Sequence, residues 1–250
     1  MHHDYDAASL LAALQQARKS ASKSGLALAL GTHRDVDDDD DVLPSRTPLD
    51  PILREALLVA GGVVELVGWP GTGALSLALS CMGEALAERR ASSSSSSSSV
   101  SGRGASGWLC AIDPAGSLFS PAVQALGVPL DRLLVVVPPR KALPRVSVRA
   151  MKTGVFCAMV VDATDLDDLD GLPVRRFTLA AEAASATVFL LTHPGARRRQ
   201  PLPTAVRAQL HPSINNTRDV DVDIERHRHG RRGRIPWQRP VSPIDRVFAD

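Results

Sequence analysis

Aromatic residues, lysines and long apolar runs are all scarce in this 250-residue chain. Aromatics make up 4% of the residues against 44% hydrophobic residues overall, so any core must consist mainly of Ala, Val and Leu. No uninterrupted apolar run approaches the ~20 residues of a membrane-spanning helix, which excludes that class of protein. The start, MHHDYDAAS, lacks the basic-then-apolar pattern of a secretory signal, and a cytoplasmic location is expected.

Cysteine and lysine usage excludes two further kinds of site. The three cysteines lie far apart without a C-x-x-C pair, so the sequence predicts buried, reduced thiols and no zinc ribbon or redox motif. Only four of the 29 basic residues are lysines, and none lies between Lys23 and Lys141. Basic chemistry in this chain is therefore almost entirely guanidinium chemistry.

The charge is unevenly distributed although the net value is only +2. Asp37–Asp41 form an unbroken acidic run, whereas Arg197–Arg239 holds eleven arginines against four acids. A run of five like charges repels itself and predicts a solvated linker. The arginine-rich end favours an anionic partner.

Alternation of apolar strands with helices begins at Gly62 and predicts an α/β fold. The predicted strands are Val63–Val67, Trp108–Ile112, Leu133–Val137, Val155–Val161 and Thr187–Leu191. Helices are predicted at Pro51–Leu58, Ala74–Arg89, Pro121–Leu126, Val146–Lys152 and Val174–Ala184. Continuously apolar strands separated by helices are typical of a mostly parallel sheet covered on both faces.

The pattern changes after His193. Ala205–His211 and Val220–Arg226 alternate apolar and polar residues, which predicts an antiparallel hairpin with one wet face. The predicted domains are an N-terminal helix and acidic flexible linker over 1–48, a core over 49–229 and a basic tail over 230–250. An eight-serine tract predicts a disordered insertion at about 91–106 within the core.

The stretch VVELVGWPGTGALS has the strand, glycine turn and helix of a phosphate-binding loop. Gly68 and Gly73 occupy the two glycine positions of G-x-x-x-x-G-K-[ST], with Gly71 between them. Ala74 and Leu75 stand where the lysine and the hydroxyl belong. These residues supply neither a charge for the phosphates nor a ligand for Mg²⁺, so the sequence predicts a vestigial site at Gly68, Gly71 and Gly73.

Three segments together resemble the core of RecA recombinases. They are GVVELVGWPGTG, then WLCAIDPAGSLFSPAVQALGVPLDRLLVVVP, then MKTGVFCAMVVDA. The segments LTHPGARRRQPLPTAVRAQL and VDVDIERHRHGRRGR are similar to the ImuA-type accessory proteins of bacterial error-prone translesion synthesis. The resemblance covers roughly Pro51 to Arg234 and implies a RecA-like (P-loop NTPase-like) fold: a mostly parallel sheet flanked by helices, ending in an antiparallel hairpin.

The departures from RecA imply that catalysis has been lost. Ala115 stands where the family has its catalytic glutamate, and His193 stands where the family has the glutamine that senses the γ-phosphate. Of the nucleotide-site side chains, Asp162 alone is retained, at the end of an apolar strand. No catalytic residue, no metal and no ATP or Mg²⁺ cofactor is therefore expected.

The resemblance also implies partners in the SOS response to DNA damage. They are RecA, an ImuB-like protein and an error-prone polymerase, with single-stranded DNA as a further candidate and a nucleoid-associated location. The residues predicted to bind DNA or a partner are Arg197, Arg198, Arg199, Arg226, Arg228, Arg231, Arg232, Arg234 and Trp237. Two alternatives stay open: a DNA-stimulated ATPase in which an arginine replaces the lysine, and a SulA-type division inhibitor that binds FtsZ.

Overall fold

The computed structural model describes residues 49–95, 107–170, 172–213, 219–228 and 232–240. The predicted N-terminal helix and acidic linker over 1–48 lie outside the described residues, and so does Arg231. No helix in these five ranges is long and apolar enough to cross a bilayer.

Helices and strands alternate along the described chain as far as the fifth strand. The helices are α1 (Pro51–Leu57), α2 (Ala74–Ser95), α3 (Ser120–Ala125), α4 (Leu143–Lys152) and α5 (Val174–Ala184), with 3₁₀ turns at Leu130–Arg132 and Arg140–Ala142. The strands are β1 (Val63–Val67), β2 (Trp108–Ile112), β3 (Leu133–Val136), β4 (Phe156–Asp162), β5 (Thr187–Thr192), β6 (Val206–Pro212), β7 (Asp219–His227) and β8 (Gly233–Gln238).

The described strands form one eight-stranded sheet in the order β3-β2-β4-β5-β1-β6-β7-β8. The pairs from β3 to β6 are parallel, and β6, β7 and β8 pair antiparallel. This arrangement confirms the predicted α/β fold class, a mostly parallel sheet flanked by helices that ends in antiparallel strands. Burial along the strands matches the sequence patterns. The continuously apolar strands β1 and β5 are buried throughout, whereas β6 and β7 alternate between buried and partly exposed residues.

Two apolar layers cover the sheet, and they differ in extent. The first layer packs α1 and α2 against β1 and continues across β6, β7 and β8. The second layer packs α4 and α5 against β2, β4 and β5 and contains no residue of β6, β7 or β8 among those described. The second face of the sheet is therefore without a helix beyond β1, in the part of the chain that the structure describes.

The strand β8 lies inside the range predicted as a basic tail. Ile235 and Trp237 alternate onto the first apolar layer, and their apolar surface holds this segment against β7. Pro236 is compatible with the strand because β8, among the described strands, is at the edge of the sheet and pairs only with β7. Residues 233–238 thus belong to the sheet, and the predicted core boundary at residue 229 is wrong at this point.

Helix α2 is six residues longer than its predicted end at Arg89. The Ser92 hydroxyl donates to the carbonyl oxygen of Glu88 at 2.9 Å, one helical turn earlier, and so bonds within the helix. The expected disordered insertion from about residue 91 is therefore wrong for 91–95. The remaining part, 96–106, lies outside the described residues.

The three cysteines are buried free thiols, which confirms the predicted burial. Burial raises the pKa of the Cys110 thiol to about 12 and also raises the pKa of Cys157. We expect the native protein at pH 8 to resist a chromogenic disulfide reagent, since the reactive species is the thiolate. In denaturant all three thiols should react. Three fast equivalents from the folded protein would contradict this burial.

The same shift predicts loss of stability in alkaline solution. Because the folded-state pKa of Cys110 is raised, the thiol proton stabilises the folded protein fully below pH about 9. That contribution is lost as the pH rises towards about 12. The free energy of unfolding should fall over this interval, and Cys110→Ala should reduce its dependence on pH. An identical pH dependence in both proteins would argue against this role of Cys110.

Candidate functional site

The glycine loop, residues 68–73, joins β1 to α2 as a tight turn. Gly71 and Gly73 have φ values of 85° and 95°, which side chains other than glycine rarely adopt. A Cβ on Gly68 would lie 2.3 Å from the Thr72 hydroxyl oxygen. That hydroxyl donates to the carbonyl of Trp69 at 2.8 Å and tightens the turn. Each of the three glycines therefore has a structural reason to be there.

The first turn of α2 carries packing residues in place of phosphate ligands. Ala74 is 8% exposed and belongs to the first apolar layer, against which Leu75 also packs. Restoring a lysine or a hydroxyl at these positions would place a polar group against that layer. Ala74 and Leu75 thus contribute to the packing of the helix against the sheet.

Asp162, the retained acid, is engaged in its own loop. Its Oδ1 accepts hydrogen bonds from the Thr164 backbone at 3.0 Å and from the Thr164 hydroxyl at 2.6 Å. Strand β5 lies between β4, which carries Asp162, and β1, which leads to the glycine loop. Across the described ranges, no group of three or more His, Cys, Asp or Glu residues has the geometry to hold a metal ion.

The positions of the expected base and sensor have structural roles. Asp113 is 3% exposed and accepts from the backbone N–H groups of Ala115 at 3.2 Å and Leu118 at 2.9 Å. Ala115 is thus part of a turn that Asp113 organises. The Nδ1 atom of His193 accepts from the Gly195 N–H at 3.1 Å, which fixes the imidazole beside the glycine loop.

The end of β8 packs against the glycine loop, which sequence analysis did not foresee. Arg239 donates from Nη1 to the carbonyl oxygen of Gly71 at 3.0 Å. A Cβ on Gly73 would lie 2.9 Å from the Arg239 Cδ and 3.3 Å from the Trp237 ring. Trp237 is 6% exposed, so the prediction that its ring is available to stack or to anchor a partner is wrong. The spacing of two between Ile235 and Trp237 was the available signal.

A pocket of about 510 Å³ gathers arginines from two distant parts of the sequence. We call it the arginine pocket, and its lining residues are Arg198, Arg199, Gln200, Pro201, Arg207, Glu225, Arg226 and Arg232. The structure therefore brings together two predicted residues that follow β5 and two from the C-terminal region. Arg207, on β6, was not predicted.

The other predicted arginines do not line this pocket. Arg197 precedes it along the segment after β5, and its backbone forms a bridge with Asp168. Arg234 points its guanidinium towards Asp221, with 3.8 Å between Nη1 and Oδ2. The backbone N–H of Arg228 donates to the carbonyl of Ala205 at 2.9 Å. Of the predicted arginines, Arg231 alone lies outside the described residues.

A buried carboxylate pairs with two of these arginines. Glu65 on β1 is fully buried, and its Oε1 accepts from the Thr192 hydroxyl at 3.1 Å and from Arg198 Nη1 at 2.7 Å. Arg207 Nη1 lies 2.8 Å from the same oxygen, at an angle that does not make a hydrogen bond. Burial by itself would lower the pKa of Arg207, but Glu65 and Glu225 more than offset it and raise that pKa.

Positive charge remains in excess in the pocket. Its five arginines face three carboxylates, namely Glu65, Glu225 and Asp170. The Arg199 side chain is 93% exposed although it lies 3.4 Å from Asp170. The arrangement suits an anion with several oxygens, because guanidinium groups donate in a fixed fork.

Comparison with known proteins finds similar solved structures but no match among family models or curated proteins. One similar solved structure is described as the crystal structure of the RadB recombinase. It shares 15% sequence identity with this chain at a TM-score of 0.49, and the match covers 72% of this chain and 88% of that one.

The buried ion-pair network yields a stability prediction. Glu65→Gln should lower the free energy of unfolding by about 3 kcal/mol, because it leaves two guanidinium groups beside a neutral amide. The measurement is equilibrium unfolding in urea at neutral pH.

The pair Arg54–Glu88 supplies the matched control, since both side chains are 45% exposed. Glu88→Gln should change the free energy of unfolding by no more than about 1 kcal/mol. Equal effects of the two substitutions would show that burial of Glu65 does not matter.

Proposed function

We propose that this protein is a RecA-like accessory factor that acts by binding partners and does not hydrolyse ATP. One observation carries the proposal: the positions of the phosphate-binding lysine and hydroxyl are occupied by Ala74 and Leu75, which pack on the first apolar layer. A charged lysine and a metal ligand supply most of the electrostatic stabilisation in phosphoryl transfer. A site without either has little means to promote the reaction.

Two further observations support the loss of nucleotide chemistry. Arg239 and Trp237 pack on Gly73 at the start of α2, where phosphate oxygens would bind backbone N–H groups. A nucleotide would have to displace them. Ala115 offers no base at the position where the resemblance places the glutamate, and its N–H bonds to Asp113.

The biological role that we propose is support of error-prone DNA synthesis past damage, as in the ImuA-type proteins. The partners would be RecA, an ImuB-like protein and an error-prone polymerase, in the cytoplasm near the nucleoid. Support comes from the ordered series of RecA-like segments and from the arginine pocket, whose excess positive charge fits an acidic protein surface or DNA phosphates. The pocket is our proposed contact region.

Pull-down with purified partners tests this proposal. The full chain should retain RecA or the ImuB-like protein, with DNA present and with DNA removed. Arg199→Glu combined with Arg232→Glu should weaken retention at least about tenfold, since each reversal places like charges at the contact.

Arg175→Glu on α5 is the matched control, because Arg175 is an exposed arginine outside the pocket. It should retain partners as the unaltered protein does. Failure to retain either partner under both conditions would rule out the accessory role.

A second candidate is favoured by one contact. The guanidinium of Arg239 reaches the carbonyl of Gly71, so this arginine is placed to supply a positive charge at the glycine loop. The protein would then be a DNA-stimulated ATPase with an arginine in place of the lysine. The missing metal ligand at Leu75 and the missing base at Ala115 weigh against it.

Phosphate release decides between the two candidates. We expect no release above background with ATP and Mg²⁺, with or without single-stranded DNA, because no base and no metal ligand are in place. Turnover that is lost in both Arg239→Ala and Asp162→Ala, but kept in Arg175→Ala, would instead establish the ATPase.

A further inference from the structure

An exposed indole stands on the glycine loop. Trp69 is 59% exposed, in a chain where aromatic residues are scarce. Its position is fixed, because its carbonyl accepts both the N–H of Thr72 at 3.0 Å and the Thr72 hydroxyl at 2.8 Å. The ring of His193 lies beside it, with 5.8 Å between the ring centroids and 38° between the planes.

Gly195 lies against both rings and bonds to one of them. Its N–H donates to His193 Nδ1 at 3.1 Å, which leaves Nε2 as the opposite edge of the imidazole. A Cβ on Gly195 would lie 3.2 Å from His193 Nδ1 and 3.4 Å from Trp69 Cη2. A side chain here would push against both rings. We call Trp69 and His193 the aromatic pair.

A line of arginines leads from the aromatic pair to the arginine pocket. Strands β5, β1 and β6 are parallel neighbours, so the segment 193–205 returns from the carboxyl end of the sheet to its amino end. This segment carries Arg197, Arg198 and Arg199 in turn. Arg197 is exposed, and its side chain forms no ion pair with the described residues. Arg198 and Arg199 line the pocket itself.

We propose that the aromatic pair stacks unpaired bases of a single-stranded nucleic acid whose phosphates follow segment 193–201 into the arginine pocket. An exposed ring followed by a basic track is the pattern of sequence-tolerant binding to single strands, because every base has a π-face and every nucleotide a phosphate. The alternative occupant, a protein that inserts an apolar side chain, fits less well, since residues 69–71 are all exposed and form no apolar hollow.

This inference rests on the proposed function only in taking nucleic acid as a partner, and its test is separate. The Trp69→Ala protein is titrated with a fluorescent oligothymidylate of about 12 nucleotides at low salt, a length within the usual range of such sites. Affinity should fall at least about fivefold, because one base loses its stacking partner. Trp69→Phe, which keeps a ring, should bind within about twofold of the unaltered protein.

Phe119→Ala is the matched control, because Phe119 is an aromatic residue that is 49% exposed and lies outside the site. It should leave affinity unchanged. An oligomer of the same length with abasic sugars keeps the phosphates and removes the bases. The unaltered protein should bind the abasic oligomer more weakly than oligothymidylate. The Trp69→Ala protein should bind the abasic oligomer as well as the unaltered protein does. Arg199→Ala should weaken the binding of both oligomers. It should also reduce the slope of log affinity against log salt concentration by about 0.7, because one phosphate contact is lost.

Further ligands identify the nucleic acid. If Trp69→Ala lowers the affinity for oligouridylate and for oligothymidylate equally, the site accepts any single strand. If it lowers the affinity for only one of them, the site is assigned to RNA or to DNA. Equal affinity for a duplex, unchanged affinity in Trp69→Ala, or no binding at low salt would each overturn the proposal. So would a Trp69→Ala protein that loses RecA or the ImuB-like protein but keeps the oligomer. If the pull-downs fail but the oligomer still binds in a way that depends on Trp69, only the proposed protein partners are rejected.

Discussion

Burial of the Glu65 carboxylate is the constraint on which the arrangement of β5, β6 and the segment between them depends. A fully buried charge is costly unless it is paired and hydrogen-bonded, and Glu65 has Thr192, Arg198 and Arg207 around it. Those partners come from the end of β5, from the segment that follows it and from β6. One carboxylate therefore fixes how the return segment lies on the sheet and where two of the pocket arginines stand. The pocket's positive charge is arranged around this negative one.

The glycine loop separates the conformation of a turn from the chemistry of the side chains beside it. The turn needs its glycines for reasons of conformation alone, as the φ values of Gly71 and Gly73 show. The side chains that would act on phosphate are a separate requirement, and Ala74 and Leu75 serve packing in their place. Arg239 and Trp237 then bind the end of β8 to the loop. A glycine pattern by itself therefore predicts a turn and does not predict a bound phosphate.

Much of the fold could be predicted from the sequence because it follows from local pattern. The continuous apolar runs of β1 and β5 and the alternation in β6 and β7 are properties of neighbouring residues. The helical continuation to Ser95 was missed because serine prefers turns, whereas here the serines extend a helix that is already formed, and the Ser92 hydroxyl bonds within it. The site was harder to foresee, since it joins distant segments. Arg207 meets Glu65 only because β6 pairs with β1, and no spacing in the sequence records that neighbour.

The position of β1 in the sheet has a consequence for the order of folding. Glu65 and Arg198 are 133 residues apart, and β1 pairs on both sides with strands that come late in the chain. During synthesis β1 therefore leaves the ribosome long before the strands that flank it. The meander β6-β7-β8 joins by short connections and can close quickly, whereas β1 must wait for loop closure over most of the domain. Until then both edges of this apolar strand lack their partners, and unpaired strand edges are prone to non-native pairing.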